Sequence, residues 1–417
     1  MKLLNQIICG DALEVMNSIP VNAADCMVTD PPAGISFMGT EWDDDKGGRD
    51  NWIRWLSEVM TAAKRILKPG GHALVWALPR TSHWTGFALE KAGFEVRDCV
   101  YHVFGSGFPK NLDISKAIDR QAGVEREDKF EGTFTRRAGP SGNKRCEQCG
   151  KWFVSGSPCH CPCPQDSPAT PEAKQWEGWG TALKPAVECW WLVRKLLSEK
   201  TVAENVLRWG VGGLNIKGCR VAGPLPHHNY GRTSGKCSFV GKGSVSITPP
   251  QGRFPSHLIH DGSDEVLAEF PITTSGKPQG LRNTGGGYGK GFGRVPVTGF
   301  GDTGTAARFF YCAKPSKRER DAGLEGMENK TFVRYMSEKL TKERTDTLTS
   351  HKNNHPTVKA QALMRYLIKL ITPPKGIILD PFAGSGSTLV AAKSMGHGFI
   401  GIEISPEYCK IAKARLR

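Results

Sequence analysis

The 417-residue chain has no apolar stretch long enough to span a bilayer. Residues 1–11 turn polar too soon to form the apolar segment of a secretory signal. Both absences exclude a membrane-embedded protein and lead us to expect a cytoplasmic one. Acidic residues are also in short supply, with 41 Asp and Glu against 56 Lys and Arg and a net charge of +15. That imbalance favours a polyanionic partner, nucleic acid first.

Cysteine is not scarce, but its distribution argues against a disulfide framework. Eight of the thirteen cysteines are dispersed, and the other five fall between Cys146 and Cys163. In a reducing compartment such a cluster favours metal over bridges. Cys146 and Cys149 form a knuckle-like pair; Cys159, Cys161 and Cys163 offer further thiolates, with His160 in reserve. Four such ligands around a structural zinc ion would let a core-poor insert fold.

The periodicity elsewhere is that of an α/β protein. Residues 3–8, 24–29, 72–78 and 96–104 read as strands, while Trp52, Trp55, Leu56, Val59, Ala63 and Ile66 mark one face of a helix ended by the Lys-Pro-Gly-Gly of 68–71. Strand, helix, strand in this order implies parallel pairing. Residues 125–177 and 218–305 break the pattern with charged, Gly, Pro and Ser-rich sequence. Regular structure returns as a helix over 358–371, a strand over 376–379, a glycine turn, a helix through Met395 and a strand over 398–404. The last helix opens on Ser405 as N-cap with Pro406 in its first turn.

Two acids end buried strands. Asp30 begins Asp-Pro-Pro-Ala after the apolar run 24–29, and Asp380 begins Asp-Pro-Phe-Ala-Gly-Ser-Gly-Ser-Thr. In an open parallel sheet both would face the crevice at the carboxyl edge, where ligands bind. Gly384 and Gly386 permit a tight turn with exposed backbone. Glu403 lies seventeen residues beyond Gly386 at the end of the next strand, the place of an acid that holds a ribose. A dinucleotide fingerprint would require a third glycine where Leu389 stands, so S-adenosylmethionine fits better than NAD: it has a ribose, no pyrophosphate and a cationic sulfonium. Asp30, with the carbonyl of Pro31 held in direction by Pro32, suits an amine conjugated to an aromatic ring, which is a poor nucleophile until its hydrogens are accepted.

Asp30-Pro31-Pro32, Gly10-Asp11-Ala12-Leu13, His355-Pro356-Thr357-Val358-Lys359, the 380–388 turn and Phe399-Ile400-Gly401-Ile402-Glu403 together resemble the beta group of exocyclic-amino DNA methyltransferases. Phage and prophage members are most similar, sharing the segments 178–186 and 308–314. The resemblance implies a Rossmann-like, doubly wound α/β fold with circularly permuted motif order, binding S-adenosylmethionine and double-stranded DNA in a bacterial or phage-infected cell. It implies that Asp380, Phe382, Ala383, Gly384 and Gly386 line the cofactor, with Glu403 on its ribose and Asp11 at its adenine. Lys359, assisted by Thr357, would pair with the methionine carboxylate. Asp30, Pro31 and Pro32 would be catalytic. Adenine N6 is the preferred target, because the cytosine N4 members more often begin the Pro-Pro turn with Ser. The alternatives are a cytosine N4 methyltransferase and an inactive DNA-binding protein.

The expected division is 1–125 as the catalytic half, 126–176 as the zinc-binding insert and 177–217 as a return to the core. Residues 218–305 then serve target recognition through Arg220, Arg232, Arg253, Arg282 and Arg294, and 306–417 form the cofactor half. One departure stands out: the family usually has an aromatic residue after the second proline to stack on the extruded base, and here Ala33 occupies it. Phe37 and Trp42 are the nearest substitutes.

Overall fold

The computed structural model describes residues 4–36, 41–107, 111–124, 126, 144–145, 152–153, 167–222, 252–274, 281–283, 294–296, 303–314, 316–328, 330–332 and 349–417. These form two compact units, residues 107–185 and the remainder.

The larger unit is built on a nine-stranded sheet. In chain order its strands are β1 (Gln6–Cys9), β2 (Cys26–Thr29), β3 (His72–Ala77), β4 (Phe94–Val103), β5 (Val187–Lys195), β6 (Leu258–His260), β7 (Tyr311–Cys312), β8 (Ile377–Asp380) and β9 (Gly398–Glu403). Their spatial order is β1-β9-β8-β2-β3-β5-β4-β6-β7. The sheet is mixed. β1, β9, β8, β2 and β3 are parallel, with β2 and β3 paired across the helix between them, whereas β5 enters antiparallel to both β3 and β4 and keeps those two strands apart. β6, inside the 218–305 stretch, pairs with β4.

Alternation along the strands feeds a core on each face. Cys26 and Val28 of β2 pack on one side with Leu363, Leu367 and Ile371 of the helix Gln361–Ile371 and with Leu389 and Ala392 of the helix Ser387–Ser394. Met27 packs on the other with Trp52, Leu56, Val59, Ala63 and Ile66, the face of the helix Arg49–Ile66 legible in the sequence. That helix ends at Leu67, ahead of Pro69. The helix Pro406–Arg415 has Ser405 as its N-cap, whose Oγ accepts from the N–H of Tyr408 at 3.4 Å. Asp25 and Lys68 tie the two sequence halves together: Asp25 accepts from Lys68 Nζ at 2.5 Å and from the backbone N–H of Ile377 at 2.7 Å.

The smaller unit contains the helix Ile114–Gln121, capped by Asp113, and the short helix Pro171–Gln175. Asp119 is buried between them. It accepts from Arg126, from the Thr170 hydroxyl and from the backbone N–H groups of Ala169 and Thr170. The five clustered cysteines and His160 lie outside the described residues. Among the described residues no group of three or more His, Cys, Asp or Glu is arranged to hold a metal. No helix among them is long and apolar enough to cross a membrane.

Candidate active site

Asp30 and Asp380 open onto one edge. Their strands β2 and β8 are adjacent and parallel, with Leu379 opposite Met27, so both acids emerge at the carboxyl ends. The Thr29 hydroxyl donates to Asp380 Oδ1 at 2.7 Å and stitches the two turns together. The backbone N–H of Phe382 donates to the same oxygen at 3.1 Å. Asp380 is 2% exposed, and burial pushes its carboxyl up to about 7 even though Thr388, Thr29 and Phe382 oppose the shift.

Glu403 ends β9, one strand away. Its carboxylate accepts from the backbone N–H of Gly384 at 2.7 Å and from that of Ser405 at 2.8 Å, while burial holds its pKa above the usual value. Asp11 follows β1 and caps the helix Ala12–Asn17, accepting from the N–H of Leu13 at 2.8 Å. Register pairs Cys9 with Glu403, so Asp11, Glu403 and Asp380 lie on three neighbouring strand ends. No basic side chain among the described residues is ion-paired with any of the three. An unpaired acid set of this kind suits a cationic ligand rich in hydroxyl groups.

The glycines of the 380–388 turn are required by conformation. Gly384 has φ +53°, and a Cβ there would stand 2.7 Å from His355 Nε2. Gly386 has φ +80°, and its Cβ would meet Ala412 at 3.0 Å. In this structure the space at Gly384 is therefore filled by an imidazole and that at Gly386 by the last helix. His355 stacks edge-on against Tyr408 at 4.6 Å, and burial lowers its pKa to about 4, so the ring is neutral at pH 7. Its Nδ1 accepts from the N–H of Thr357 at 3.3 Å. Ala383 is buried, and Phe382 packs its ring 5.8 Å from that of Trp55.

Lys359 stands between two carboxylates, with Nζ 3.3 Å from Asp30 Oδ2 and 3.3 Å from Glu188 Oε1. The same ammonium sits 4.1 Å above the ring of Trp76. Burial alone would lower the lysine's pKa, but the two acids win and raise it. Burial pushes Asp30 up to about 6; Lys359 opposes the shift, and Glu188 and Asp43 add to it.

The turn after Asp30 is held by a residue that the sequence did not single out. Asp43 Oδ1 accepts from the N–H of Ala33 at 2.5 Å and from that of Gly34 at 3.0 Å, and the Thr81 hydroxyl donates to the Ala33 carbonyl at 3.0 Å. Thr29, Trp76 and Glu188 were also missed. Their only sequence signal is a position at a strand end, and pairing across the sheet decides which strand ends meet. Trp42 is half-buried on a short turn, and Phe37 lies outside the described residues. Arg220 and Arg253 are internally engaged: Arg220 donates to the Gly252 carbonyl at 2.9 Å, and Arg253 donates to that of Arg308 at 2.9 Å and lies over Phe309. Arg232 is outside the described residues, and Arg282 and Arg294 pair as backbone in a short hairpin.

This is the architecture of a mixed α/β domain with an acidic site at the carboxyl edge of its strands. A DNA methylase family model of the N6/N4 type matches residues 24–113 and 303–414, so in these two segments the chain is similar to that family. It is 46% identical over 67 residues to the putative methylase YubD of Escherichia coli strain K12, covering 16% of this chain and 30% of that protein. It is 49% identical over 63 residues to the DNA adenine methyltransferase YhdJ of the same strain, covering 15% and 21%. The chain thus spans less than a third of either relative. A solved structure of a putative DNA modification methylase from Thermus thermophilus, complexed with S-adenosyl-L-methionine, aligns with 14% identity and a TM-score of 0.39 over 99% of this chain and 92% of that one.

Proposed function

We propose that the protein transfers a methyl group from S-adenosylmethionine to the N6 amino group of adenine in double-stranded DNA, with the target base flipped out of the helix. The observation that carries this reading is the Thr29 to Asp380 hydrogen bond, which joins an Asp-Pro-Pro turn and a glycine turn at one sheet edge. S-adenosylmethionine, when bound, supplies an electrophilic methyl on a sulfonium; Asp380, Glu403 and Asp11 are the residues that would hold it. The permuted motif order fits the chain order of the two turns.

Asp30 accepts one amino hydrogen and the carbonyl of Pro31 the other, so the nitrogen lone pair is freed from the ring and aimed at the methyl carbon. As the N–C bond forms, the C–S electron pair stays on sulfur. The methylated nitrogen then sheds its extra proton, with Asp30 as the nearest acceptor. The rate comes from positioning and from the fixed charges around Asp30, with no covalent enzyme intermediate.

Adenine is favoured over cytosine by the acid at the head of the Pro-Pro turn and by the adenine activity for which YhdJ is named. Single-molecule sequencing of DNA from cells expressing the chain tests this: N6-methyladenine in a fixed context is the expected result, and N4-methylcytosine would overturn the choice of base. Duplex binding is expected to weaken by roughly 10³-fold or more between 50 and 200 mM salt, as lysine and arginine contacts release counterions. Fluorescence anisotropy at several salt concentrations checks this, and a flat response would argue for a small-molecule acceptor.

A further inference from the structure

Glu188 belongs to no motif read in the sequence, yet the fold brings it into the site. It lies near the start of β5, which runs antiparallel to β3, so its position falls at the same edge as the carboxyl ends of β2 and β8. Its two oxygens face different partners: Oε1 is 3.3 Å from Lys359 Nζ, and Oε2 is 3.7 Å from His102 Nδ1 on β4. Lys359 is equidistant from Asp30 and Glu188, and its side chain is 11% exposed. An ammonium so deeply placed and facing Asp30 alone would tend to close onto that carboxylate and tie it up as an ion pair. Dividing it between two acids weakens its hold on each. The Oδ1 oxygen of Asp30 accepts no hydrogen bond from the described residues, whereas Oδ2 faces Lys359.

We propose that Glu188 is a positioning residue for methyl transfer: by sharing the Lys359 ammonium with Asp30, it keeps that ammonium from closing onto the Asp30 carboxylate and leaves one oxygen of Asp30 open to the target amino group. This rests on the reading of Asp30 given above. The charged and titratable groups bearing on Asp30 are Lys359 from the segment before the helix Gln361–Ile371, Glu188 from β5, Asp43 from the turn that follows, and Asp380 from β8; His102 faces Glu188. Removing the negative charge at 188 lets Lys359 turn wholly to Asp30, so the Asp30 carboxyl ionises at lower pH. Removing the positive charge at 359 has the opposite effect. The Asp380 carboxyl, which titrates nearby, has neither Glu188 nor Lys359 among the groups that shift it, so opposite displacements identify Asp30.

The test compares wild type, Glu188→Gln, Glu188→Asp and Lys359→Met in two assays. In the first, the acid limb of the kcat/KM profile for DNA methylation is expected to move down by roughly half a pH unit or more in Glu188→Gln and up by a similar amount in Lys359→Met. In Glu188→Gln kcat should drop about tenfold with little change in cofactor affinity by calorimetry, and Glu188→Asp should recover part of the rate. In the second assay, Trp76 fluorescence of the ligand-free protein, read against a Trp76→Phe control, should report the same opposite midpoint shifts. An active wild type whose two charge-removing variants share its profile and midpoint would overturn the role of Glu188. Loss of cofactor binding in Glu188→Gln would overturn it too, placing the residue on the cofactor side. An inactive wild type would sink the methyltransferase reading and this role with it, while opposite fluorescence shifts would still establish the charge sharing itself.

Discussion

Replacing Asp30 with alanine is expected to reduce methyl transfer by roughly 10²–10⁴-fold while leaving cofactor affinity within a few-fold of wild type. The split follows from where Asp30 stands. It follows β2, is a quarter exposed at the edge and, among the described residues, is held by Lys359 alone, whereas the acids assigned to the cofactor lie on β8, β9 and after β1. Asp30→Asn should lose nearly as much, since an amide keeps the size but not the charge that draws on the amino hydrogens. Transfer of labelled methyl groups to unmethylated duplex DNA, with isothermal calorimetry of cofactor binding beside it, measures both quantities. Equal incorporation by wild type and Asp30→Ala would remove Asp30 from the mechanism. No incorporation by either would favour a DNA-binding protein that retains the fold. The pH dependence has a definite sign. Burial pushes Asp30 up to about 6, so the acceptor form is lost on the acid side and activity should fall as pH drops through that value.

Asp380→Asn is expected to stabilise the ligand-free protein at pH 8 and to weaken its cofactor binding. The buried carboxyl ionises at about 7, well above the ordinary aspartate value. Between about pH 4 and 7 the native state therefore binds more protons at this site than the unfolded chain does. Its contribution is fully favourable below the unfolded pKa and is lost as pH rises through the folded one. An asparagine does not titrate, and its carbonyl oxygen can accept from Thr29 and from the Phe382 N–H as the carboxylate does. The gain over wild type should thus be near zero at pH 4 and roughly 2–4 kcal/mol at pH 8, read from urea midpoints. At pH 8 the same variant should bind S-adenosylmethionine at least about tenfold more weakly, because the charge set against the sulfonium is gone. A variant no more stable than wild type at pH 8 would mean that Asp380 is not held against its preference for water. Stability sacrificed at a buried acid is the usual mark of a site shaped for a ligand.

Much of this could be read before any coordinates. Short apolar runs ending in acids marked β2 and β8. The periodic face from Trp52 to Ile66 marked the longest helix, and Pro69 and Pro406 marked boundaries, because backbone conformation at these residues is decided locally. The glycines at 384 and 386 were recognised as a turn, although the reason they must be glycine, His355 against one and Ala412 against the other, is a matter of packing. That β3 and β4 are not neighbours had no local signal, because strand neighbours are chosen by chain segments far apart. β5 enters between them only after the 107–185 unit has been traversed.

Residue type and spacing were enough to suggest the kind of protein this is: two acid-headed turns, a further acid at a strand end and a basic balance are local facts about the chain. Which side chains act on one another was left to the folded molecule. That Lys359 divides itself between Asp30 and Glu188, that Thr29 bonds to Asp380 and that Asp43 secures the Ala33 turn depend on sheet register and loop return. Charges couple through space rather than along the chain, so the ionisation of Asp30 has no sequence signature, although it governs what Asp30 can do.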